Sequence, residues 1–495
     1  IYDRLYVEKN SLIGDMMKEI ELIEKRKPRE KHFLQENGEI IAKIYGEDIH
    51  YLKNGKYEEI DNTLIQDENG FSNKSNSYKV HFNKEIKNSI MRMESNGHFI
   101  DIKLKKTQNS LLKKLKQFSK FTDEVKYENV QENIDLDYKV LSNKVKESIV
   151  LKNKNNVPQK LSFYIDTDLT LTLDNNSIYA TDNNEIHFKI EEPFMIDSNN
   201  LENHNIYYEL KKYIMGYELD LILDLDWLNS DEITYPVYID PTITNSGVNN
   251  NVYDTYISSA EPNKNFNDKD FLKIGIEKSN GQNIINRALL KFDLPDLGTE
   301  SQITNAYVRL IGYPGSSMYV RKIVGVYRLN ADWNESTATW NNMHDKFNEK
   351  LETCFQSGRS ATRYDGENDV LVPNYAYANI TNLVQKWYVN TPNYGIMLKA
   401  TSEEYDSDII PEFFSKNNNV AGDNPKPLLV IKYRNSNGLE NYMSYQSQVF
   451  SNGSSHINDF NGNLTNIFNL YTSSDKSKVG IELVYNTNDV VLGRN

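Results

Sequence analysis

Tyr217-Glu218-Leu219-Asp220-Leu221-Ile222-Leu223-Asp224-Leu225-Asp226-Trp227 places an apolar or aromatic side chain at every odd position and an acid at four of the five even ones. A period of two belongs to a β-strand, whose successive side chains point to opposite faces. The reading is one strand over all eleven residues, spanning roughly 36 Å, with Tyr217, Leu219, Leu221, Leu223, Leu225 and Trp227 inward. Glu218, Asp220, Asp224 and Asp226 then form a solvated outer face. Alternate side chains on a strand stand about 7 Å apart, too far to share one small cation without help from loops.

The surroundings carry the same signature. Eight Asn-Gly steps occur, at 37–38, 54–55, 69–70, 96–97, 280–281, 437–438, 452–453 and 461–462. Asn and Gly accept the positive φ that a type I′ hairpin turn needs at both central residues. Asp48–Lys53 and Lys56–Asp61 flank Asn54-Gly55, and Ile90–Glu94 and His98–Leu104 flank Asn96-Gly97. Further strands are expected at Tyr138–Val140, Ser148–Leu151, Leu161–Ile165 and Leu169–Leu173. The fold class is therefore mainly all-β.

Two helices interrupt this pattern. Ser11 can cap the first, in which Leu12, Ile13, Met16, Met17, Ile20 and Ile23 recur at helical spacing before Lys25-Arg26-Lys27 and Pro28. The second carries the stripe Ile380, Leu383, Val384, Trp387. The expected organisation is an N-terminal helix over 1–30, a β-rich domain over 31–243, a Ser/Asn/Gly linker over 244–251, a β-sandwich over 252–434, and a Ser/Asn/Gly-rich hairpin region over 435–495. The first residue is Ile1 and the last strands lack a closing element; both are read as the edges of a longer natural chain.

Composition narrows the function. A chain of 495 residues suggests about three domains. Lys+Arg 56 against Asp+Glu 70 gives a net charge of −14, which disfavours coating nucleic acid or an anionic membrane with the whole surface. One cysteine, Cys354, allows no intrachain disulfide and no Cys-based zinc site; it is expected as a buried or half-buried thiol. No apolar run reaches the length of a membrane-spanning helix. Phosphate-loop, zinc-protease and nucleophile-elbow motifs are absent, and the eight histidines are scattered. Lys103, Lys105, Lys106, Lys113, Lys114, Lys116 and Lys120 form a basic run with Leu111, Leu112, Leu115 and Phe118 at helical spacing, read as a solvated helix face or a mobile loop, with a patch for an anionic polymer as the alternative. No catalytic residue is assigned.

The 252–434 region offers binding candidates instead. Tyr307 and Arg309 share one strand face, and Tyr319, Arg321 and Tyr327 share parity farther on. Aromatic rings with guanidinium suit stacked sugar rings and carboxylates. Asp254 with Asn263, Asn265, Asp268 and Asp270 forms a candidate oxygen set for a structural Ca²⁺; no other cofactor is expected.

These residues carry a resemblance. Asp254-Thr255-Tyr256, Arg287-Ala288-Leu289-Leu290-Lys291-Phe292-Asp293, Ile303-Thr304-Asn305-Ala306, Trp333-Asn334-Glu335-Ser336-Thr337-Ala338-Thr339-Trp340-Asn341, Asn393-Tyr394-Gly395-Ile396-Met397-Leu398 and Pro427-Leu428-Leu429-Val430-Ile431 resemble the DNRLRE-type domain, a sandwich related to carbohydrate-binding modules. Ala378-Asn379-Ile380-Thr381 departs from it, where that family usually has an Asp. His50-Tyr51, Glu59-Ile60-Asp61-Asn62, Lys146–Leu151 and Tyr235–Thr242 resemble the region upstream of that domain in wall-associated Rhs/YD-repeat proteins. Asn458-Asp459-Phe460-Asn461-Gly462-Asn463-Leu464 and Leu483-Val484-Tyr485-Asn486 resemble a degenerate first YD repeat. The resemblance implies a jelly-roll-like sandwich followed by the start of a repeat shell that encloses a toxin. It implies a secreted or wall-attached, non-enzymatic segment, with any toxin enzyme beyond residue 495. The expected partners are the rest of the same chain and cell-surface polysaccharide, with no nucleic acid. The alternatives are purely structural bracing domains and a polysaccharide-degrading enzyme.

Overall fold

A computed structural model of the chain describes residues 19–487, apart from 87–88, 106–111, 115–122, 200, 246–251, 280, 299–300, 314–321, 358–360, 365–368, 373–374, 404–410, 419–425, 436–438, 440–443, 460–461 and 473–479. It is mainly β, with three short helices among the described residues. Contacts divide it into two compact units, Asp48–Asn250 and a discontinuous one, Ile1–Glu47 with Asn251–Asn495.

Asp48–Asn250 contains two large antiparallel sheets and the hairpin His50–Lys53 with Lys56–Glu59. One runs, in spatial order, through Tyr207–Tyr213, Gly216–Ile222, Lys160–Thr167, His98–Leu104, Met91–Ser95, Lys79–Asn83, Gly70–Ser75 and Asp61–Gln66. The other is built on Glu124–Gln131, Ile134–Val140, Lys144–Leu151, Ile243–Asn245, Glu185–Ile190 and Ser177–Asp182. Both feed one core that includes Tyr78, Phe82, Tyr127, Tyr138, Phe188 and Leu221. Asn-Gly hairpins appear where expected: Asn54 and Gly55 take φ 51° and 77°, Asn96 and Gly97 take 52° and 87°. Two Asn-Asn pairs, 175–176 and 183–184, also make positive-φ turns, a use of Asn that the search for Asn-Gly passed over.

The discontinuous unit faces two sheets across a core of its own. The first has the order Ile20–Glu21, Glu30–Leu34, Ile40–Tyr45, Leu428–Asn435, Ser301–Ile311, Tyr375–Asn379. The second has Val252–Ser258, Gln282–Phe292, Ile396–Ala400, Ile323–Leu329 and Phe347–Gln356, with Gly275–Ser279 beside Gln282–Phe292. The helix Thr381–Val389 buries Leu383 and Val384, as its stripe predicts. A four-stranded meander, Tyr445–Phe450, Gly453–Asn458, Leu464–Thr472 and Gly480–Asn486, follows.

Five expectations are corrected. Residues 1–18 lie outside the described set, but the described end of the proposed first helix is not α-helical: Ile20–Glu21 pairs with Leu34 and Phe33, and Ile23–Lys25 is one 3₁₀ turn. Residues 31–47 stand with the later sandwich rather than with the domain that follows them, because Ile40, Ala42 and Ile44 bond edge to edge with Tyr433, Ile431 and Leu429. The long acidic strand stops at Ile222: Asp224 caps the helix Leu225–Leu228 by accepting from the Trp227 N–H. Its outer face is not simply solvated, since Asp220 is fully buried, accepting from Lys160 and Ser162, each at 2.6 Å. Finally, Thr244 belongs to the strand Ile243–Asn245, so the linker starts later than its composition suggests. Of the basic run, Lys106, Lys116 and Lys120 lie outside the described residues; Lys113 and Lys114 stand on the strand Leu112–Lys114, paired with residues 125–127, not on a helix, and Lys105 pairs with Glu218 at 2.5 Å.

Candidate functional site

In the first sheet of the discontinuous unit, Ala306, Val308 and Leu310 alternate inward, so Tyr307 and Arg309 point outward. Cross-strand partners share a face. Register sets Tyr307 between Asn379 and Val430, and Arg309 between Tyr377 and Leu428. The sequence search missed the neighbouring tyrosines. Tyr377 is 54% exposed and meets Tyr307 edge-on with centroids 5.6 Å apart. Tyr375 stacks near Tyr377 at 6.3 Å and lies 5.5 Å from the Arg309 guanidinium. The signal was present as Tyr375-Ala376-Tyr377-Ala378, small residues inward and rings outward. Farther along the same face, Lys43 lies opposite Val430 and over the Phe33 ring at 4.7 Å. The arrangement is an aromatic row with a guanidinium fixed among its rings, able to stack on flat apolar faces and donate to oxygen.

Of the five predicted ligand residues, the three that are described do not converge. Tyr307 and Arg309 stand together, with Arg309 largely buried. Tyr319 and Arg321 lie outside the described residues. Tyr327 is on the other sheet and is buried, meeting Phe347 edge-on beneath the Lys399 ammonium. It belongs to a small apolar cluster with Ile257, Leu289, Leu329, Met343 and Met397, against which Trp333 and Trp340 pack. Displaying Tyr327 to a ligand would require dismantling this cluster.

The same cluster holds charges that the sequence did not single out. Arg287 makes a two-pronged pair with Glu403, 2.8 and 2.7 Å, and lies over Trp340 and Phe347 at 4.9 and 5.4 Å. Lys399 joins Glu403 at 3.4 Å, and burial holds its ammonium pKa below the ordinary lysine value. These groups satisfy one another, so they clamp the Trp333–Trp340 loop on the sheet.

The calcium set is also dispersed. Asn265 donates its amide to the carbonyls of Glu335 and Ala338, at 2.8 and 2.7 Å. Asn263 accepts from Asn341, and Asp268 points to Lys269 on the surface. Asp270 lends its carbonyl to the Ser415 N–H. Asp254 alone is interior, 1% exposed, and one oxygen accepts from the Lys416 N–H at 2.7 Å. Its other oxygen and the Glu335 Oε2 have no donor among the described residues, while Lys416 binds the remaining Glu335 oxygen at 2.5 Å. Burial pushes the Asp254 carboxyl up to about 7 against the pull of Lys416. The five residues do not fit one calcium shell, because the amide oxygens of Asn263 and Asn265 already accept from Asn341 Nδ2 and the Asn267 N–H, and the acids are engaged apart from one another. Cys354 is exposed rather than buried.

Comparison with known proteins follows these lines. Residues 248–433 match the family model of carbohydrate-binding module family 96. The chain is 26% identical over 459 residues to the tRNA nuclease WapA of Bacillus subtilis (strain 168), covering 85% of this chain and 18% of that protein. The same identity and coverage hold for the tRNA3(Ser)-specific nuclease WapA of Bacillus spizizenii. A wall-associated protein of Geobacillus stearothermophilus is 26% identical over 197 residues, 36% of this chain and 75% of its own. The chain thus spans under a fifth of the length of the nucleases it resembles, and residues 248–433 are its carbohydrate-binding-module-like part.

Proposed function

We propose that this chain is a non-catalytic, wall-attached segment whose discontinuous unit binds polysaccharide through the outer face bearing Tyr307, Arg309, Tyr375 and Tyr377. The observation that carries this reading is the coincidence of a tyrosine row, Tyr377 exposed with Tyr307 and Tyr375 half-buried beside it, with the stretch matched by a carbohydrate-binding family. Sugar rings present C–H faces that stack on aromatics, and their hydroxyls accept from a fixed guanidinium. A sheet supplies these groups without a moving part, which suits retention rather than turnover.

The resemblance to WapA extends the reading. In it, the segment precedes a repeat shell and a nuclease toxin, and the 445–486 meander begins that shell. Val449, Leu470, Ile481 and Leu483 are more than half exposed on this meander, a surface that further strand layers would cover. A second reading, bracing without a sugar ligand, is favoured by the burial of Arg309 and Tyr327.

Affinity electrophoresis of the whole chain through wall polysaccharide separates the two. Tyr377→Ala with Tyr307→Ala is expected to weaken retention about tenfold or more with an unchanged melting temperature. Unaltered retention by the double variant would remove this face from sugar binding, and no retention of the parent chain on any wall polysaccharide would leave only the bracing reading.

A further inference from the structure

The Asp48–Asn250 unit, which the family match touches only at residues 248–250, contains a cleft of about 390 Å³. Its floor is the outer face of the eight-stranded sheet. Register sets Lys79 opposite Glu94 and Glu94 opposite Phe99, with Arg92 one pleat along on the same face. The 74–78 loop and the Asn96-Gly97 turn form the rim. Lys79 and Arg92 line the cleft against one acid, Glu94, while Lys74, also in the lining, is paired with Asp61 at 2.6 Å.

Arg92 is arranged as a recognition group. Its guanidinium lies 3.8 Å from the Phe99 ring centroid, and its Nε donates to Glu94 at 2.5 Å. Nη1 is 3.9 Å from Asp101, beyond hydrogen-bond range, and Nη2 has no acceptor among the described residues. Stacking and the Glu94 contact hold the plane fixed, so the terminal edge is preorganised for a two-oxygen acceptor. Lys79 is exposed and donates to the Asn73 carbonyl, leaving an ammonium whose remaining protons an anion can take. Asn96 on the turn adds an amide for a sugar hydroxyl, whereas Asn76 is spent on Asn62, the Ser142 carbonyl and the Ser77 hydroxyl.

We propose that this cleft is a second saccharide site, taking an acidic sugar whose carboxylate or phosphate rests on Arg92 and Lys79 while a neighbouring hydroxyl donates to Glu94. The chain is then bivalent, and engagement of one site raises the effective concentration at the other. With a net charge of −14 the whole chain repels a polyanion at long range, so the local cations must supply the attraction and retention must fall with salt.

The test uses the full chain carrying Tyr307→Ala and Tyr377→Ala, so that the sandwich face is silent. It is run through gels containing polygalacturonate, poly(glycerol phosphate) teichoic acid or neutral dextran. Retention in at least one acidic gel, lost roughly tenfold on adding Arg92→Ala or Lys79→Gln and absent from dextran, is the expected result. The acidic gel that retains the chain tells carboxylate from phosphate. Lys79→Gln is the milder change, and its melting temperature shows whether the unit still folds. Equal migration with and without the Arg92 and Lys79 changes overturns this site and leaves the sandwich reading untouched. Loss of retention from the tyrosine changes alone, with no residual acidic-gel binding, likewise removes the second site.

Discussion

Asparagine and glycine carry much of the local geometry. Gly55 and Gly395 both take positive φ, 77° and 87°, yet their surroundings differ. A Cβ on Gly55 meets nothing within 4 Å, whereas one on Gly395 would lie 2.4 Å from the Leu290 carbonyl oxygen. Gly55→Ala is expected to cost about 1 kcal/mol, the left-handed penalty alone. Gly395→Ala adds a backbone clash and is expected to cost about 3 kcal/mol or more; urea titrations of the two variants check the contrast. A buried acid gives the second prediction at this scale. Glu147 is 3% exposed and accepts from the Tyr138 hydroxyl at 2.5 Å, and burial pushes its pKa up to about 7 from 4.5. Tyr208 and Asp240 face it from neighbouring elements. Because the folded value exceeds the unfolded one, this carboxyl's favourable contribution is complete below about pH 4.5 and is lost as pH rises through 7. Glu147→Gln keeps an acceptor for Tyr138 but cannot ionise. It should match the parent near pH 4.5 and be more stable at pH 8, by up to about 3 kcal/mol; melting curves across that range read the crossing.

At the scale of elements, alternation decides which strand faces are free to work. Ser301–Ile311 and Tyr375–Asn379 send alanine, valine and leucine inward, which leaves Tyr307, Tyr375 and Tyr377 outward by necessity. Sequence parity alone was enough to pair Tyr307 with Arg309. It could not bring in Tyr375 and Tyr377, since strand adjacency over a gap of more than sixty residues is a matter of sheet order. Nor could it tell that Tyr327 has a second layer above it, formed by the loop that Arg287 and Glu403 fasten down. Cutting that fastening should free the loop: Glu403→Gln is expected to lower stability by about 2 kcal/mol, leaving Arg287 buried and half-paired. Faster amide exchange across 333–344 would report the loosening, and unchanged exchange there would contradict the clamp.

For the whole molecule, the consequence of sheet order is sharper. Ile40, Ala42, Ile44 and Leu34 are buried in the core shared with Val252, Leu290 and Leu429. A fragment limited to 252–434 lacks these residues and exposes the edge of Leu428–Asn435, including Leu429 and Ile431, which are wholly buried in the full chain. It should aggregate or melt well below the full chain, and adding a peptide covering 19–47 should restore soluble, cooperative unfolding. A fragment melting as high as the full chain would show that these N-terminal strands are dispensable. Sequence alone determined the β class, the Asn-Gly hairpins, the inward and outward faces of most strands and the helix at 381–389, because each depends on a period or a turn residue within a few positions. Tertiary structure decided that residues 20–45 complete a sheet begun beyond residue 250, that the calcium candidates spend their side chains on separate partners, and that Arg92, Lys79 and Phe99 line one cleft. Those outcomes rest on contacts between residues far apart in the chain, which hydrogen bonding and burial select only once the sheets have closed.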